Sequence, residues 1–301
     1  MKLHRLPALA LFVSLSVLSL PAQPVVTAAS TNKTTKHCLW EVKGKSKTVF
    51  LLGSLHLMKK NMYPLDAPIE NAYKNADIVV FETDMAAMES PEFALKLMKE
   101  ATYPEGETLK KNLPEATYSM LVSNLQATVG SAEPFEKFKP WMVAVTLIAL
   151  ELQKLGFSAE KGIDKHFYAR AREDQKSIQE LEAPEEQLKL LTSLNDIEAG
   201  DFLGQSLSEM AVWRTQFSAM VEAWRVGDTK GLEKILTESF ERYPALEKKF
   251  LTSRNEKWLG KIEKLLQGDK NVLIVVGAAH LAGTDSVVDL LTRKGFKVEQ
   301  R

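Results

Sequence analysis

The chain has 301 residues, of which 45% are hydrophobic and 26% are charged, and its 39 basic side chains balance 39 acidic ones. This composition excludes a largely disordered chain, and the zero net charge without a basic stripe excludes a typical nucleic-acid-binding surface. Cys38 is the single cysteine, so no intramolecular disulfide can stabilise the fold. The composition specifies no oligomeric state.

The N-terminal segment, residues 1–29, has the pattern of a secretory signal peptide. A basic start precedes an apolar run over residues 8–20, and Ala28 and Ala29 supply the small residues of a cleavage site. This run is shorter than the roughly 20 residues that a membrane-spanning helix needs. We therefore expect an exported, periplasmic or secreted protein that keeps no stable membrane anchor after cleavage, with a single domain over residues 30–301.

The first predicted elements are two strands, a helix and a third strand. Residues 38–53 predict a hairpin around the turn KGKSK, and its second strand leads to His56. The segment PLDAPIENAYKNA has apolar residues at helical spacing, and DIVVFE is a continuous apolar run typical of a buried parallel strand. A strand–helix–strand crossover brings both strand ends to one edge of a sheet. We expect His56 and Glu82 to project there from neighbouring strands.

Helices predominate over about 85–160 and 184–268. The run KPWMVAVTLIALELQKLG predicts a core helix, and KSIQELE predicts a strand that places Glu182 at its end. The chain closes with the strand VLIVV, a helix and the strand FKVEQ. The predicted fold class is therefore α/β, with a mixed, largely parallel sheet built from the N- and C-terminal segments and a large helical insertion.

Two segments, TVFLLGSLHL and NVLIVVGAAHL, share one pattern: an apolar strand, a glycine, two further residues and a histidine. The glycines are Gly53 and Gly277, and the histidines are His56 and His280. Glycine at a strand end permits close backbone approach. Two imidazoles and a carboxylate such as Glu82 are a common ligand set for a divalent metal that activates water. A strand-end histidine can equally be an ordinary hydrogen-bonded polar residue.

Four further residues are candidates for supporting roles, and three of them also have a simpler structural interpretation. Asp84 could orient a ligand or cap the next helix, and Asp164 in GIDKHF occupies a typical helix N-cap position. Glu182 shares the strand-end placement without a neighbouring histidine. Arg254 in RNEKW could hold an oxyanion or a substrate carboxylate, or lie on the solvated face of an amphipathic helix.

The chain lacks H-E-x-x-H, G-x-S-x-G, Walker A, G-x-G-x-x-G and C-x-x-C motifs. These absences argue against gluzincin-like proteases, α/β-hydrolases, P-loop enzymes and Rossmann dehydrogenases.

Five segments of the chain resemble the TraB/GumN family, which includes the Tiki metalloproteases: LWEVKGKSKTVFLLGSLHL, ADIVVFETD, GIDKHF, RNEKW and VVGAAHLAGTDSVVDLLTRKGFKV. The resemblance implies a fold related to erythromycin-esterase-like and ChaN-like proteins, with both G-x-x-H motifs facing one cleft. It also implies a peptidase that depends on manganese or cobalt. His56, His280 and Glu82 then belong to the metal site or to catalysis, while Asp164 and Arg254 match recurrent family positions.

We therefore predict an exported, divalent-metal-dependent hydrolase, a peptidase acting on a peptide or protein substrate. Imidazole and carboxylate ligands suit Zn²⁺ and Fe²⁺ as well as Mn²⁺ and Co²⁺. One alternative is an esterase-like hydrolase in which a histidine acts as base without metal. The other is a non-catalytic binding or scaffolding protein of the cell envelope, whose histidines hold a ligand or a structural metal.

Overall fold

The computed structural model describes residues 36–208, 210–240 and 244–301, except for the side chains of 211–214, 239 and 245. The predicted signal peptide lies outside these residues, so export stays a prediction. Within the described ranges, no helix combines the length and the apolar character that crossing a membrane requires.

The centre of the fold is a six-stranded mixed sheet with the strand order β4-β3-β5-β2-β1-β6. Strand β5 pairs in parallel with β2 and β3, and β3 pairs in parallel with β4, whereas β1 is antiparallel to β2 and β6. This arrangement confirms the predicted α/β class and the largely parallel sheet built from both ends of the chain. The strands are β1 (Leu39–Lys43), β2 (Thr48–Ser54), β3 (Ile78–Phe81), β4 (Ser177–Glu180), β5 (Val272–Gly277) and β6 (Val298–Gln300).

One expectation about the sheet was wrong: β2 and β3 are not neighbours, because β5 lies between them. All six residues of β5 are buried, as expected for an apolar strand with parallel partners on both sides. In the register of the sheet, Ser54 of β2 is opposite Gly277 of β5, and Phe81 of β3 is opposite Val275. The two G-x-x-H motifs therefore lie side by side, and Glu82 approaches from the other side of β5.

Helices occupy the predicted insertions. Helix α6 is a buried core helix with Pro140 in its first turn, where the missing N–H of proline costs nothing. A π-helical turn, Lys248–Thr252, runs directly into α13. The α-helices are α1 (Ala67–Asn75), α2 (Met85–Met88), α3 (Pro91–Ala101), α4 (Leu109–Asn112), α5 (Glu115–Val129), α6 (Pro140–Lys154), α7 (Ile163–Glu173), α8 (Pro184–Thr192), α9 (Asp196–Ser208), α10 (Met210–Arg225), α11 (Thr229–Phe240), α12 (Pro244–Glu247), α13 (Ser253–Gln267) and α14 (Val287–Arg293).

Candidate active site

The candidate site lies at the carboxyl ends of the parallel strands and centres on Gly277. The Gly277 N–H donates to Glu82 Oε1 over 2.7 Å. A Cβ atom built on Gly277 would stand 3.3 Å from Glu82 Oε1, 3.6 Å from His56 Nε2 and 3.6 Å from His280 Cδ2. The three side chains therefore surround a small space that is open because residue 277 has no side chain. The other motif glycine, Gly53, is needed for packing, since its Cβ would meet Ala278 Cα at 3.1 Å.

His56 is oriented by Asp164, a residue of the first turn of α7. Its Nδ1–H donates to Asp164 Oδ2 over 2.8 Å, while Ser54 Oγ donates to Asp164 Oδ1 over 2.6 Å. This leaves Nε2 of His56 without a hydrogen-bond partner in the described part of the chain, facing the space above Gly277. Burial is the largest single influence and acts to lower the pKa of His56, but the charge and hydrogen bond of Asp164, together with the charge of Glu82, raise that pKa to about 9.

His280 sits on a short 3₁₀ turn, Ala278–His280, and is enclosed by neighbours on α13. Because a guanidinium can only donate, Nε2 of His280 must accept the hydrogen bond from Arg254 Nη1, which is 2.9 Å long. Nδ1–H then donates to Asn255 Oδ1 over 2.7 Å, and Asn255 Nδ2 donates to the Asp285 carbonyl. Burial and the adjacent Arg254 lower the pKa of His280 to about 3, so the imidazole stays neutral.

Arg254 is a buried cation between two buried carboxylates. Its Nη2 donates to Glu82 Oε2 and to Glu182 Oε1, each over 2.5 Å, and its Nε donates to both oxygens of Glu182. The two glutamates are adjacent because the Glu182 N–H donates to the Glu82 carbonyl and extends the pairing of β3 with β4. Trp258 Nε1 also donates to Glu182 Oε2, and the Arg254 guanidinium lies over the Trp258 ring at 4.7 Å.

The charge of Glu82 is fixed by these contacts. Burial acts to raise the pKa of Glu82, but Arg254, together with the His56 cation and the Gly277 N–H, holds that pKa far below its usual range. Gln187 of α8 also donates its amide N–H to Glu82 Oε2 over 3.1 Å. Glu82 is therefore a carboxylate with one oxygen saturated by Arg254 and Gln187, and the other directed, with the Gly277 N–H, at the space beside His56.

These groups lie at the floor of a cleft of about 670 Å³, a volume that includes the open space at its mouth. The side chain of His56 is 18% exposed, whereas that of Arg254 is 7% exposed and those of Glu82 and His280 are 6% and 4% exposed. A molecule entering the cleft therefore reaches His56 before the other groups.

The structure separates the predicted residues into two sets. One cluster contains His56, His280, Glu82, Gly277, Asp164, Glu182 and Arg254. Hydrogen bonds link His280, Glu82, Gly277, Glu182 and Arg254 within it, while His56 and Asp164 form a separate hydrogen-bonded pair that borders the same space above Gly277. Asp84 lies outside this cluster. Its carboxylate caps α2 by accepting hydrogen bonds from the Ala86 and Ala87 N–H groups, which is the capping role that the sequence analysis offered for it.

Two other structural interpretations were wrong. Asp164 does not cap α7, since Gly162 holds the N-cap position and the Asp164 carboxylate faces His56 and Ser54 instead. Arg254 is buried and lies on the inner side of α13, not on a solvated face. In both cases a specific ion pair between distant segments determines where the side chain lies.

Sequence reasoning missed Ser54, Gln187, Asn255 and Trp258. Ser54 lies inside the first G-x-x-H motif and Asn255 follows Arg254 directly, so adjacency to a predicted residue could have indicated both. Gln187 is fully buried beside Glu82 only because α8 packs there, and nothing local in the sequence singles it out.

Two donor atoms in this cluster suit a divalent metal ion, and a third does not. His56 Nε2 and Glu82 Oε1 converge on the space above Gly277. His280 turns Cδ2, not a nitrogen, towards that space, and both of its ring nitrogens are already hydrogen-bonded. Across the described residues, no group of three or more His, Cys, Asp or Glu side chains is arranged to hold a metal. The expected three-ligand site therefore does not fit this arrangement, since the Arg254 cation holds His280 and Glu82.

Comparison with known proteins places these residues in a family. The chain is 27% identical to the uncharacterized protein YbaP of Escherichia coli, over 80% of this chain and 86% of YbaP. It is 21% identical to human Metalloprotease TIKI1, over 87% of this chain and 61% of the human protein. No solved structure matches the chain. A model of the TraB/PrgY/gumN family matches residues 38–300, which include every member of the cluster, and the chain therefore belongs to the TraB/PrgY/gumN family.

Proposed function

We propose that the protein is an exported hydrolase of peptide or other acyl bonds, with His56 and Glu82 acting on a water molecule above Gly277. The observation that carries this proposal is the convergence of His56 Nε2 and Glu82 Oε1 on the open space that Gly277 leaves. The similarity to a protein named as a metalloprotease supports hydrolysis as the reaction class.

The charges of His56 and Glu82 give the two residues different roles in the proposed reaction. With its pKa raised to about 9, His56 is protonated at neutral pH, so its Nε2–H can donate to the carbonyl oxygen of a substrate. Glu82 is ionised, and its Oε1 can accept a proton from water as the water oxygen attacks the carbonyl carbon. His56 then supplies its proton to the leaving nitrogen or oxygen as the acyl bond breaks, and the proton on Glu82 restores the imidazolium.

The remaining groups hold this pair in place. Asp164 keeps the imidazole of His56 turned towards the cleft and stabilises its positive charge. Arg254 keeps Glu82 ionised despite its burial, while Glu182 and Trp258 position Arg254. His280 positions Arg254 from the other side as a neutral hydrogen-bond acceptor.

A second, narrower proposal is that a divalent metal ion assists the hydrolysis. It rests on the resemblance to metal-dependent peptidases. Its open donors would be His56 Nε2 and Glu82 Oε1, and an ion there would polarise a carbonyl or lower the pKa of a bound water. His280 would join as a ligand only after releasing Arg254.

The test is hydrolysis of a fluorogenic peptide library and of aryl esters by chelator-treated mature protein, with and without added Mn²⁺, Co²⁺ or Zn²⁺. We expect His56→Ala and Glu82→Gln each to abolish turnover while retaining the wild-type circular dichroism spectrum. His166→Ala is the matched control, because His166 lies on α7 and contacts Tyr63 and Arg170 rather than the cleft. If both site variants hydrolyse substrate as fast as wild type, the proposal is contradicted. If the wild-type protein is folded but hydrolyses no substrate, the result favours a binding protein.

A further inference from the structure

The cleft has two chemically different parts. Its floor carries the charged and polar groups, whereas its wall is built from α10, α11 and the π-helical turn. The wall residues are Phe217, Met220, Leu232, Leu236 and Leu251. Among the described residues that line this wall, none carries a charge or a hydrogen-bonding side chain.

The wall is a continuous surface rather than a scatter of apolar residues. Phe217 and Met220 are three residues apart on α10, and Leu232 and Leu236 are four apart on α11, so each pair lies on one helix face. Leu251 adds a third side from the π-helical turn, three residues before Arg254. The apolar wall and the His56 imidazole therefore border the same space.

The wall favours apolar substrate groups over charged ones, because a group that packs against it loses its contact with water. A charged or strongly polar group placed against the described wall residues would lose its water without gaining a partner from them, whereas an aliphatic or aromatic group would be stabilised by burial. Ligand sites in proteins are lined mostly by apolar side chains with a few polar groups, and this cleft combines the two in the same way.

We infer that the substrate carries an uncharged apolar group next to the carbonyl that reacts. This inference rests on the proposed function and adds the substrate class: an apolar amino-acid side chain or a short acyl chain is held by Met220 and its neighbours while the carbonyl faces His56. A missing methylene in such a pocket changes kcat/KM by about 10–200-fold. The wall therefore selects both the polarity and the size of the group.

A binding experiment tests the inference without requiring turnover. The protein is labelled with ¹³C at its methionine methyl groups and titrated with N-acetyl-leucinamide, hexanamide, N-acetyl-aspartamide and N-acetyl-lysinamide. We expect the first two ligands to shift the Met220 methyl resonance, which Met220→Ala identifies, and the two charged ligands to leave it unchanged. Met98 on α3 is the internal control, because it is 39% exposed and does not line the cleft. A larger Met220 shift with N-acetyl-leucinamide indicates a peptide substrate, whereas a larger shift with hexanamide indicates a substrate with an acyl chain.

Two results would overturn the inference: equal shifts of Met220 with charged ligands, or no shift with either apolar ligand at millimolar concentration. A shift of Met220 in a protein that hydrolyses nothing would sustain the apolar site and refute only the proposed function. Where turnover is present, Met220→Lys is expected to lower kcat/KM for leucine-containing peptides by at least about tenfold and to favour aspartate-containing ones. Met98→Lys, which adds the same charge outside the cleft, is expected to leave that preference unchanged.

Discussion

Arg254 donates a hydrogen bond to Nε2 of His280 and so fixes both the tautomer and the charge of a histidine that belongs to a G-x-x-H motif. The two motif histidines consequently differ in state. His56 faces the cleft as a cation beside Asp164, while His280 lies beneath it as a neutral acceptor.

We predict that His280 carries its proton on Nδ1 and remains neutral well below pH 6. Because burial and Arg254 lower the folded-state pKa to about 3, this histidine stabilises the fold fully above the unfolded pKa of about 6.5 and loses that contribution as the pH falls towards 3. The unfolding free energy of wild type relative to His280→Gln should therefore fall by about 1.4 kcal/mol per pH unit across this range. Denaturant unfolding measures the difference, and long-range ¹⁵N–¹H NMR measures the tautomer. An Nε2–H tautomer would contradict the assignment.

His56 should show the opposite pH dependence. Its folded-state pKa is raised to about 9, so the Asp164 contact stabilises the fold below the unfolded pKa of about 6.5 and this stabilisation disappears as the pH rises through 9. We expect Asp164→Asn to lower the His56 pKa measured by NMR and to shift the alkaline limb of kcat/KM to lower pH.

Asp84→Asn is the matched control for this prediction. Asp84 caps α2 and touches neither histidine, so the variant should cost at most about 1 kcal/mol of unfolding free energy and leave the alkaline limb in place. Equal displacement of the limb in both variants would count against the role of Asp164.

Replacing Gly277 by alanine should remove activity without unfolding the protein. The new methyl group would stand 3.3 Å from Glu82 Oε1 and 3.6 Å from His56 Nε2, in the space proposed for water. We expect a loss of at least about 100-fold in kcat, equivalent to roughly 2.7 kcal/mol. Gly260→Ala on α13 has open space around its Cβ and should raise the unfolding free energy by about 0.5–1 kcal/mol with full activity. An active Gly277→Ala protein would mean that the reaction takes place elsewhere.

Removing the buried cation should strongly destabilise the fold. Arg254→Met leaves Glu82 and Glu182 as buried carboxylates without their shared partner, which costs about 3–5 kcal/mol of unfolding free energy. Lys257→Met on the same helix removes an exposed pair with Glu186 and should cost less than about 1 kcal/mol. Chemical denaturation of the two variants distinguishes a buried network from an ordinary surface charge.

A double variant tests whether Arg254 prevents the cluster from binding a metal ion. Arg254→Met combined with Glu182→Gln removes the cation and one buried carboxylate together. His280 Nε2 is then free, and Glu82 Oε2 keeps only the hydrogen bond from Gln187. We expect this variant to bind Mn²⁺ or Zn²⁺ at least about tenfold more tightly than wild type in calorimetric titrations. The reason is that His280 Nε2 and the Glu82 carboxylate, which Arg254 holds in wild type, become available as ligands. Adding His280→Ala should abolish the gain. Tighter binding by wild type would show instead that Arg254 supports a metal site.

The sequence predicted the parts of the site that depend on local pattern. An apolar strand followed by glycine and histidine identified His56 and His280, since strand ends and glycines are features of neighbouring residues. The apolar spacing of α13 also contained a usable signal: Arg254 is four residues before Trp258 and eight before Ile262, on the helical stripe that is buried.

Other parts depended on long-range packing that no local pattern encodes. The insertion of β5 between β2 and β3 was missed because the crossover rule limits handedness and direction, not the number of strands that separate the pair. Gln187 reaches Glu82 only through the docking of α8, and Asp164 reaches His56 only through the docking of α7.

The central position of β5 also determines when the site can form during synthesis. His56 and Glu82 are translated early, yet the strand that joins their two halves of the sheet begins at Val272. A nascent chain without that strand lacks Gly277 and His280, and it has no strand that pairs with both β2 and β3 and so joins them in one sheet. The reactive geometry is therefore assembled only when nearly the whole polypeptide is available, so an incomplete product of translation cannot carry the proposed activity.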